Sequence, residues 1–425
     1  MIDTIFALSS GAPPAAIAVI RVSGPAAHLA MAALTGKQLA PRQAVSAALS
    51  DKAGEVLDRA LVLWLPGPGT ATGEDTLELH CHGGRAVVAA VQAVLAALSG
   101  LRAAEPGEFT RRAFANGRID LAEAEGLADL LSAETELQRQ SAIAMAGGAL
   151  SRQVADWRER LLGQSAALEA VLDFADEDDV ATLPADFATR IQVLEQELCT
   201  WLARPRAEAL REGYRVVIAG PPNAGKSTLF NVLVEAEAAI ATPIPGTTRD
   251  VLTRPVAYAG VPFLFADTAG LHDAVDDEVE AIGIERALEA LDRADLVLWL
   301  GPEGQGPDGA WEVVSQCDRG DTLPKKTPRH QISAVSGEGI EALRLDLIAT
   351  ARGALPKPGE VALNERQHAL LRDAARSLGM ARHEHDPLLV AEALRLARVS
   401  FDGLLGRTTT EDMLDALFGQ FCIGK

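Results

Sequence analysis

Residues 214–229 read YRVVIAGPPNAGKSTL, and the fold of the chain turns on how they are parsed. The β-branched run Val216-Val217-Ile218 has the composition of a buried strand, and Leu229-Phe230 opens an apolar helical pattern. Between them Gly220, Gly225, Lys226 and Ser227 fit G-x-x-x-x-G-K-S/T. The glycines let successive backbone N–H groups close around a pyrophosphate at a helix N-terminus, while Lys226 reaches the β- and γ-phosphates and Ser227 offers its hydroxyl to Mg²⁺.

Working outward, Pro262-Phe263-Leu264-Phe265-Ala266 reads as a second buried strand ending in Asp267-Thr268-Ala269-Gly270. An acidic residue at a strand end, followed by a glycine able to swing toward a γ-phosphate, is what a nucleotide switch needs. Between the two motifs, Gly246-Thr247-Thr248-Arg249-Asp250 can carry a second Mg²⁺-binding hydroxyl. Phosphate loop, threonine loop and D-T-A-G in this order resemble translation-factor-like GTPases. The base-recognition end departs from that pattern. Strands expected at Asp295–Leu300 and Trp311–Val314 lead to Ser315-Gln316-Cys317-Asp318, where N-K-x-D is usual. Asp318 keeps the carboxylate that accepts from guanine N1 and the 2-amino group, but the Asn and Lys are replaced. Ser333-Ala334, in QISAVSGEGI, resembles the loop whose backbone contacts guanine O6.

A chain of 425 residues suggests two to four domains. No apolar run approaches the ~20 residues of a membrane span, and the N-terminus lacks a secretory pattern, so a soluble, cytoplasmic protein is expected. Cys81, Cys199, Cys317 and Cys422 are too scattered for a disulfide framework or a zinc site. A formal net charge of −20 excludes indiscriminate nucleic-acid binding, so any RNA contact must be local.

The first segment alternates strand-like runs at Ala16–Val22, Ala60–Leu65 and Thr76–His80 with helical stretches at Pro25–Leu34 and Arg85–Leu98, which predicts a small α+β domain. His80-Cys81-His82-Gly83-Gly84 has no second ligand pair at metal-site spacing, and its double glycine suggests a close backbone approach or an anion site. PGEFTRRAFANGRID, from Pro106 to Asp120, carries more charge and aromatic character than a connector needs. Helical patterns fill Asp120 to about Arg211 and Asn364 to Phe418, on either side of the nucleotide module, which predicts an insertion into one discontinuous helical body.

Taken together, RVSGP, TGEDTLELHCHGG, PGEFTRRAFANGRIDLAEAE, GPPNAGKSTL, PGTTRD, DTAGLH, DEVEAIGIERA and the terminal FCIGK closely resemble the MnmE (TrmE) family of tRNA-modification GTPases over essentially the whole chain. The resemblance implies a multidomain fold: an N-terminal α+β domain (1–118) that binds tetrahydrofolate and dimerises, a helical domain in two parts (119–211 and 356–425), and an inserted Ras-like P-loop G domain (212–355). It implies work on the wobble uridine at position 34 of tRNA, as a homodimer with the flavoprotein MnmG. Together they would add an aminomethyl-type group at C5 from 5,10-methylenetetrahydrofolate or a related one-carbon folate, FAD and NADH belonging to the partner.

Residue by residue, the implied nucleotide contacts are Asn223, Ala224, Gly225, Lys226, Ser227 and Thr228 in the phosphate loop, and Thr242, Thr247 and Thr248 beyond it. Asp267, Thr268, Ala269 and Gly270 face the γ-phosphate, and Asp318, Ser333 and Ala334 face the base. Mg²⁺ falls to Ser227 and Thr248; K⁺, which stands where other GTPases insert an arginine, falls to Asn223, Thr242, Ile244 and Thr247. Leu271 occupies the place of the water-positioning Gln of Ras-like enzymes, and the resemblance gives that task to Glu280, with Asn223 and Lys226 as the other catalytic groups. Folate contacts fall on Arg21, Glu78, Arg118 and Lys425, with Cys422 near them as a thiol for the modification step or a small residue near the chain end. Arg118 stands where the family often has Lys. Two other classes stay open: a GTPase switch without modification activity, and a nucleotide-binding scaffold with weakened guanine preference.

Overall fold

The computed structural model describes residues 3–173, 183–235, 253–267, 290–319, 325–408 and 410–424. The chain divides into two compact units, residues 1–128 with 401–425, and residues 129–400.

The first unit is built on a six-stranded sheet in the order β3-β4-β5-β2-β1-β6, made of β1 (Thr4–Leu8), β2 (Ala15–Ser23), β3 (Ala44–Ser50), β4 (Val56–Leu65), β5 (Thr76–Gly83) and β6 (Leu101–Ala103). Strand alternation decides its faces. Ala18, Ile20 and Val22 of β2 and Leu77, Leu79 and Cys81 of β5 point into a core that the helices Ala27–Thr35 and Arg85–Ala96 cover through Met31, Val91 and Leu95. Their neighbours point the other way, and because Arg21 pairs with Glu78 across the ladder, these two side chains share the opposite face. At the end of β5 the Cα of Gly83 lies so close to Ala15 that a Cβ would come within 2.2 Å of its carbonyl oxygen, so this glycine serves close strand approach.

Residues 119–128 and 401–425, read from sequence with the helices, cluster with this sheet unit instead. The reason is a shared apolar core: Leu121 and Ala124 bury against Leu414, Phe418 and Phe421, with Phe114 packed beside them. The chain end is pinned by backbone contact. Ile423 bridges Pro106, and a Cβ on Gly107, whose φ is +67°, would meet the Phe418 carbonyl oxygen at 2.1 Å. Arg111 adds ion pairs to Glu411 at 2.6 Å and Asp415 at 2.8 Å.

In the second unit a sheet ordered β12-β11-β10-β7-β9-β8 is flanked by helices. Its strands are β7 (Tyr214–Ala219), β8 (Thr253–Tyr258), β9 (Val261–Asp267), β10 (Leu296–Trp299), β11 (Trp311–Val314) and β12 (His330–Gln331). β7, β9, β10, β11 and β12 are mutually parallel and β8 is an antiparallel edge. Parallel strands buried on both faces require continuous apolar runs, which is what VVIA and PFLFA supply. Val216, Ile218, Phe263, Phe265 and Leu298 are at most 1% exposed.

The helices before and after this sheet pack on one another. Phe187–Leu202 lies along Glu365–His383, where Arg382 pairs with Glu195 at 3.4 Å. Entry and exit of the sheet module are adjacent: Ala207 N–H donates to the Leu363 carbonyl at 3.0 Å and Glu365 N–H to the Glu208 carboxylate at 2.8 Å. A module whose two ends meet in this way can be inserted without disturbing its host. No helix among the described residues is long and apolar enough to cross a membrane.

Candidate functional site

The phosphate loop leaves the end of β7 and turns directly into the helix Lys226–Glu235. Asn223 and Gly225 take left-handed backbone angles, φ +63° and +87°. At Gly225 a Cβ would also press on the Gln316 side chain at 3.1 Å, so only glycine fits. Lys226 is 5% exposed, and its ammonium donates to the Gly220 and Pro221 carbonyls, both at 2.9 Å. Burial pushes its pKa down, and the charge of Asp267 pulls in the other direction. Asp267 stands opposite because β9 pairs with β7 in the register Ile218 to Asp267, which ends both strands at the same level. Ser227 and Asn223 are exposed at the helix N-terminus, where N–H donors complement phosphate oxygens and the hydroxyl and amide oxygens can ligate a hard cation.

The base end lies beside it. A cleft is lined by Gly225, Thr228, Ser315, Gln316, Asp318, Arg319, Ala334 and Val335. The Ser333 hydroxyl, fully buried, hydrogen-bonds the Asp318 carboxylate and holds its pKa below the usual range. That keeps Asp318 an anionic acceptor. Asn223, Ala224, Gly225, Lys226, Ser227, Thr228, Asp267, Asp318, Ser333 and Ala334 are thus gathered at the C-terminal edge of one parallel sheet. Thr242, Ile244, Thr247, Thr248, Thr268, Ala269, Gly270 and Glu280 lie outside the described residues.

A second site belongs to the other unit. Arg21 donates through Nε to Glu78 Oε1 at 3.1 Å and through Nη2 at 3.0 Å, and its guanidinium stands 5.8 Å from the Phe109 ring centroid. Arg21, Thr70, Thr72, Phe109, Arg118, Ile119 and Leu127 line a cavity of about 340 Å³. Two guanidinium groups, an aromatic face and an aliphatic wall make a pocket suited to a flat, polar-edged heterocycle with an anionic tail. Phe109, Thr70 and Thr72 escaped sequence reading, although the dense PGEFTRRAFANGRID stretch was the signal that something was built there. Lys425 lies outside the described residues, but Gly424 lies so close to Leu8 that a Cβ would come within 2.2 Å of its carbonyl oxygen. Leu8 pairs with Ile20, the neighbour of Arg21, so Gly424 lies against the strand next to the one that carries that arginine. Cys422 is exposed next to this anchor. Cys81, by contrast, is buried, and desolvation with the nearby Asp58 pushes its thiol up to about 12, which leaves it unreactive. His82 bonds Asp58 at 2.7 Å and His80 meets Glu78 at 3.4 Å.

Comparison with known proteins gives the family of the chain. A family model described as "GTP-binding protein TrmE N-terminus" matches residues 4–118, and one described as "MnmE helical domain" matches residues 121–422. The "tRNA modification GTPase MnmE" of Erythrobacter litoralis is 62% identical over 423 residues, covering 100% of both chains. That of Novosphingobium aromaticivorans is 62% identical over 437 residues, again covering 100% of both. A crystal structure of the G domain of the T. maritima FeoB iron transporter covers 32% of this chain and 98% of that one at 24% identity with a TM-score of 0.23, a likeness too slight to carry weight. On full-length identity and two family models that between them span residues 4–422, the chain belongs to the family of the tRNA modification GTPase MnmE.

Proposed function

We propose that the chain hydrolyses GTP in a G domain inserted at 212–355 and uses that cycle to drive modification of tRNA at C5 of the wobble uridine, position 34. The observation that carries the nucleotide half is the buried Lys226, held at a helix N-terminus opposite Asp267 at the shared end of two parallel strands. The relatives' name supports the tRNA half.

In this reading Lys226 and the loop amides bind the β- and γ-phosphates, Ser227 with Thr248 holds Mg²⁺, and Asn223 with Thr242, Ile244 and Thr247 holds K⁺. The two cations supply positive charge against the charge that develops on the β,γ-bridge. Glu280 orients water. Asp318, kept anionic by Ser333, selects guanine.

The cavity at Arg21 and Arg118, with Glu78 bracing Arg21 and Lys425 as a further folate contact, takes a one-carbon tetrahydrofolate that supplies the aminomethyl carbon. The working form is a cytoplasmic homodimer, paired through K⁺-bound G domains and joined by the flavoprotein MnmG, which brings FAD and NADH. With a net charge of −20, tRNA is met through a local basic patch or through that partner.

The test is nucleotide affinity and turnover in two salts. GTP should bind more tightly than ATP by at least ~100-fold, the order expected when the hydrogen bonds of the base edge to a carboxylate acceptor are matched or left unpaired. Turnover in K⁺ should exceed that in Na⁺, and Asn223→Ala should erase the difference. Equal GTP and ATP affinity would favour a scaffold of relaxed base preference, and equal rates in both salts would remove K⁺ from the reading.

A further inference from the structure

The base cleft lacks the amide and the ammonium that N-K-x-D would place there, and its geometry reveals what occupies their positions. Ser315 Oγ donates to the Ala224 carbonyl at 2.6 Å. Gln316 Nε2 donates to the Asn223 carbonyl at 3.3 Å. Two neutral side chains therefore tie the base loop to consecutive carbonyls of the phosphate loop. Gln316 adopts φ +57°, a conformation that costs a non-glycine residue free energy, so the loop is shaped around this tether.

Gln316 is engaged at its other end as well. Its Oε1 accepts from Arg319 Nη1 at 3.3 Å, and Arg319 N–H donates to the Gln316 carbonyl at 2.9 Å, closing a turn. Arg319 follows Asp318 directly and lines the same cleft. One amide thus grips the phosphate loop with its nitrogen and a guanidinium with its oxygen.

Guanine offers an edge and two faces. The Asp318 carboxylate, an acceptor only, suits the N1–H and 2-amino edge. A ring face is met best by a planar cation, and a guanidinium both stacks on an aromatic system and is attracted by it electrostatically. We propose that Arg319, oriented by Gln316, lies against the purine face and supplies the positive contact that a lysine at position 316 would have made. It then contributes to affinity for the base without reading its 2-amino group. This rests on the guanine reading of the cleft.

Calorimetric titration of the full-length chain with GDP and with IDP, which lacks the 2-amino group, separates the two. Wild type should prefer GDP; equal affinity for both would overturn the guanine reading itself, before Arg319 is at issue. Given that preference, Arg319→Ala should weaken GDP and IDP by the same factor, about 2- to 5-fold, the size of a cation–π contact at an exposed site. Arg319→Lys should recover part of the loss, and Gln316→Ala should reduce the effect of Arg319→Ala when the two are combined, because the guanidinium is no longer held. The ligand-free Tm should be unchanged in Arg319→Ala. GDP affinity within about 1.5-fold of wild type, loss of the GDP preference in that variant, or a fall in its ligand-free Tm would each overturn the proposal.

Discussion

Lys226→Ala should lower kcat/KM for GTP by about 10²- to 10³-fold, the loss expected when one preorganised cationic donor to a reacting phosphate is deleted. It should do so with little change in folding stability. In the ligand-free chain the ammonium is nearly buried and bonds the Gly220 and Pro221 carbonyls, each at 2.9 Å. Removing it forfeits two charge-assisted hydrogen bonds but also relieves the desolvation that already depresses its pKa. The two effects oppose each other and are each on the order of 1–3 kcal/mol, so the net shift is small. Lys226→Arg should rescue poorly, since a planar fork cannot replace a point charge caged by two carbonyls at the start of a helix. Steady-state turnover and a thermal melt on the same preparations decide the matter. Activity within about threefold of wild type would remove Lys226 from phosphate binding, and a melt lowered by roughly ten degrees or more would make its role structural.

The contrast between what the residues announce and what they conceal is clear in the two sheets. The phosphate loop is legible because glycine, lysine and serine at fixed offsets leave no freedom in how a strand meets a helix. β2 and β5 are legible because they alternate, burying Leu77 and Leu79 while Glu78 stays on the other face. β1 is not: Thr4 to Ala7 is buried on every residue, so no period of two marks it, and a four-residue apolar run carries no signature of its own. Ser315 and Gln316 read in sequence as losses; only the placement of the loop after β11 beside the phosphate loop turns them into tethers. The return of residues 401–425 to the N-terminal unit was equally hidden, because an amphipathic helix does not name the surface it covers. The PGEFTRRAFANGRID stretch announced a dense cluster without saying which of its arginines goes inside.

That arginine is Arg112, and replacing it with alanine should destabilise the first unit by about 3 kcal/mol, the low end of the cost of breaking a buried ion pair by removing one partner. Its side chain is fully buried, with Asp3 at 2.9 Å, Glu108 at 2.9 Å and Glu74 at 3.3 Å, and it also donates to the Asp3 carbonyl at 2.9 Å. The low end applies because Arg102 stays to neutralise Asp3 and Glu108, at 2.6 Å from each, leaving Glu74 as the carboxylate most exposed to the loss. Glu74 then keeps the hydroxyl of Ser23, which donates to it at 2.8 Å. A loss of about 3 kcal/mol corresponds to a fall in the melting temperature of this unit of about 6–12 °C. Arg112→Lys should restore the charge but not the fork, and fall between the two. The effect should depend on pH with a definite sign. Burial alone would raise the carboxyls of Asp3 and Glu108, but bonds and charge from Arg102 and Arg112 overcome it and hold both below their ordinary values. A depressed carboxylate contributes stability above its unfolded pKa and loses it as pH falls through the folded one. The gap between wild type and Arg112→Ala is therefore expected to be full at neutral pH and to narrow below about pH 4. A thermal melt of both proteins between about pH 3 and 7 reads it directly. A gap that stays constant through that range would mean that Arg112 acts by filling space and not by its charge.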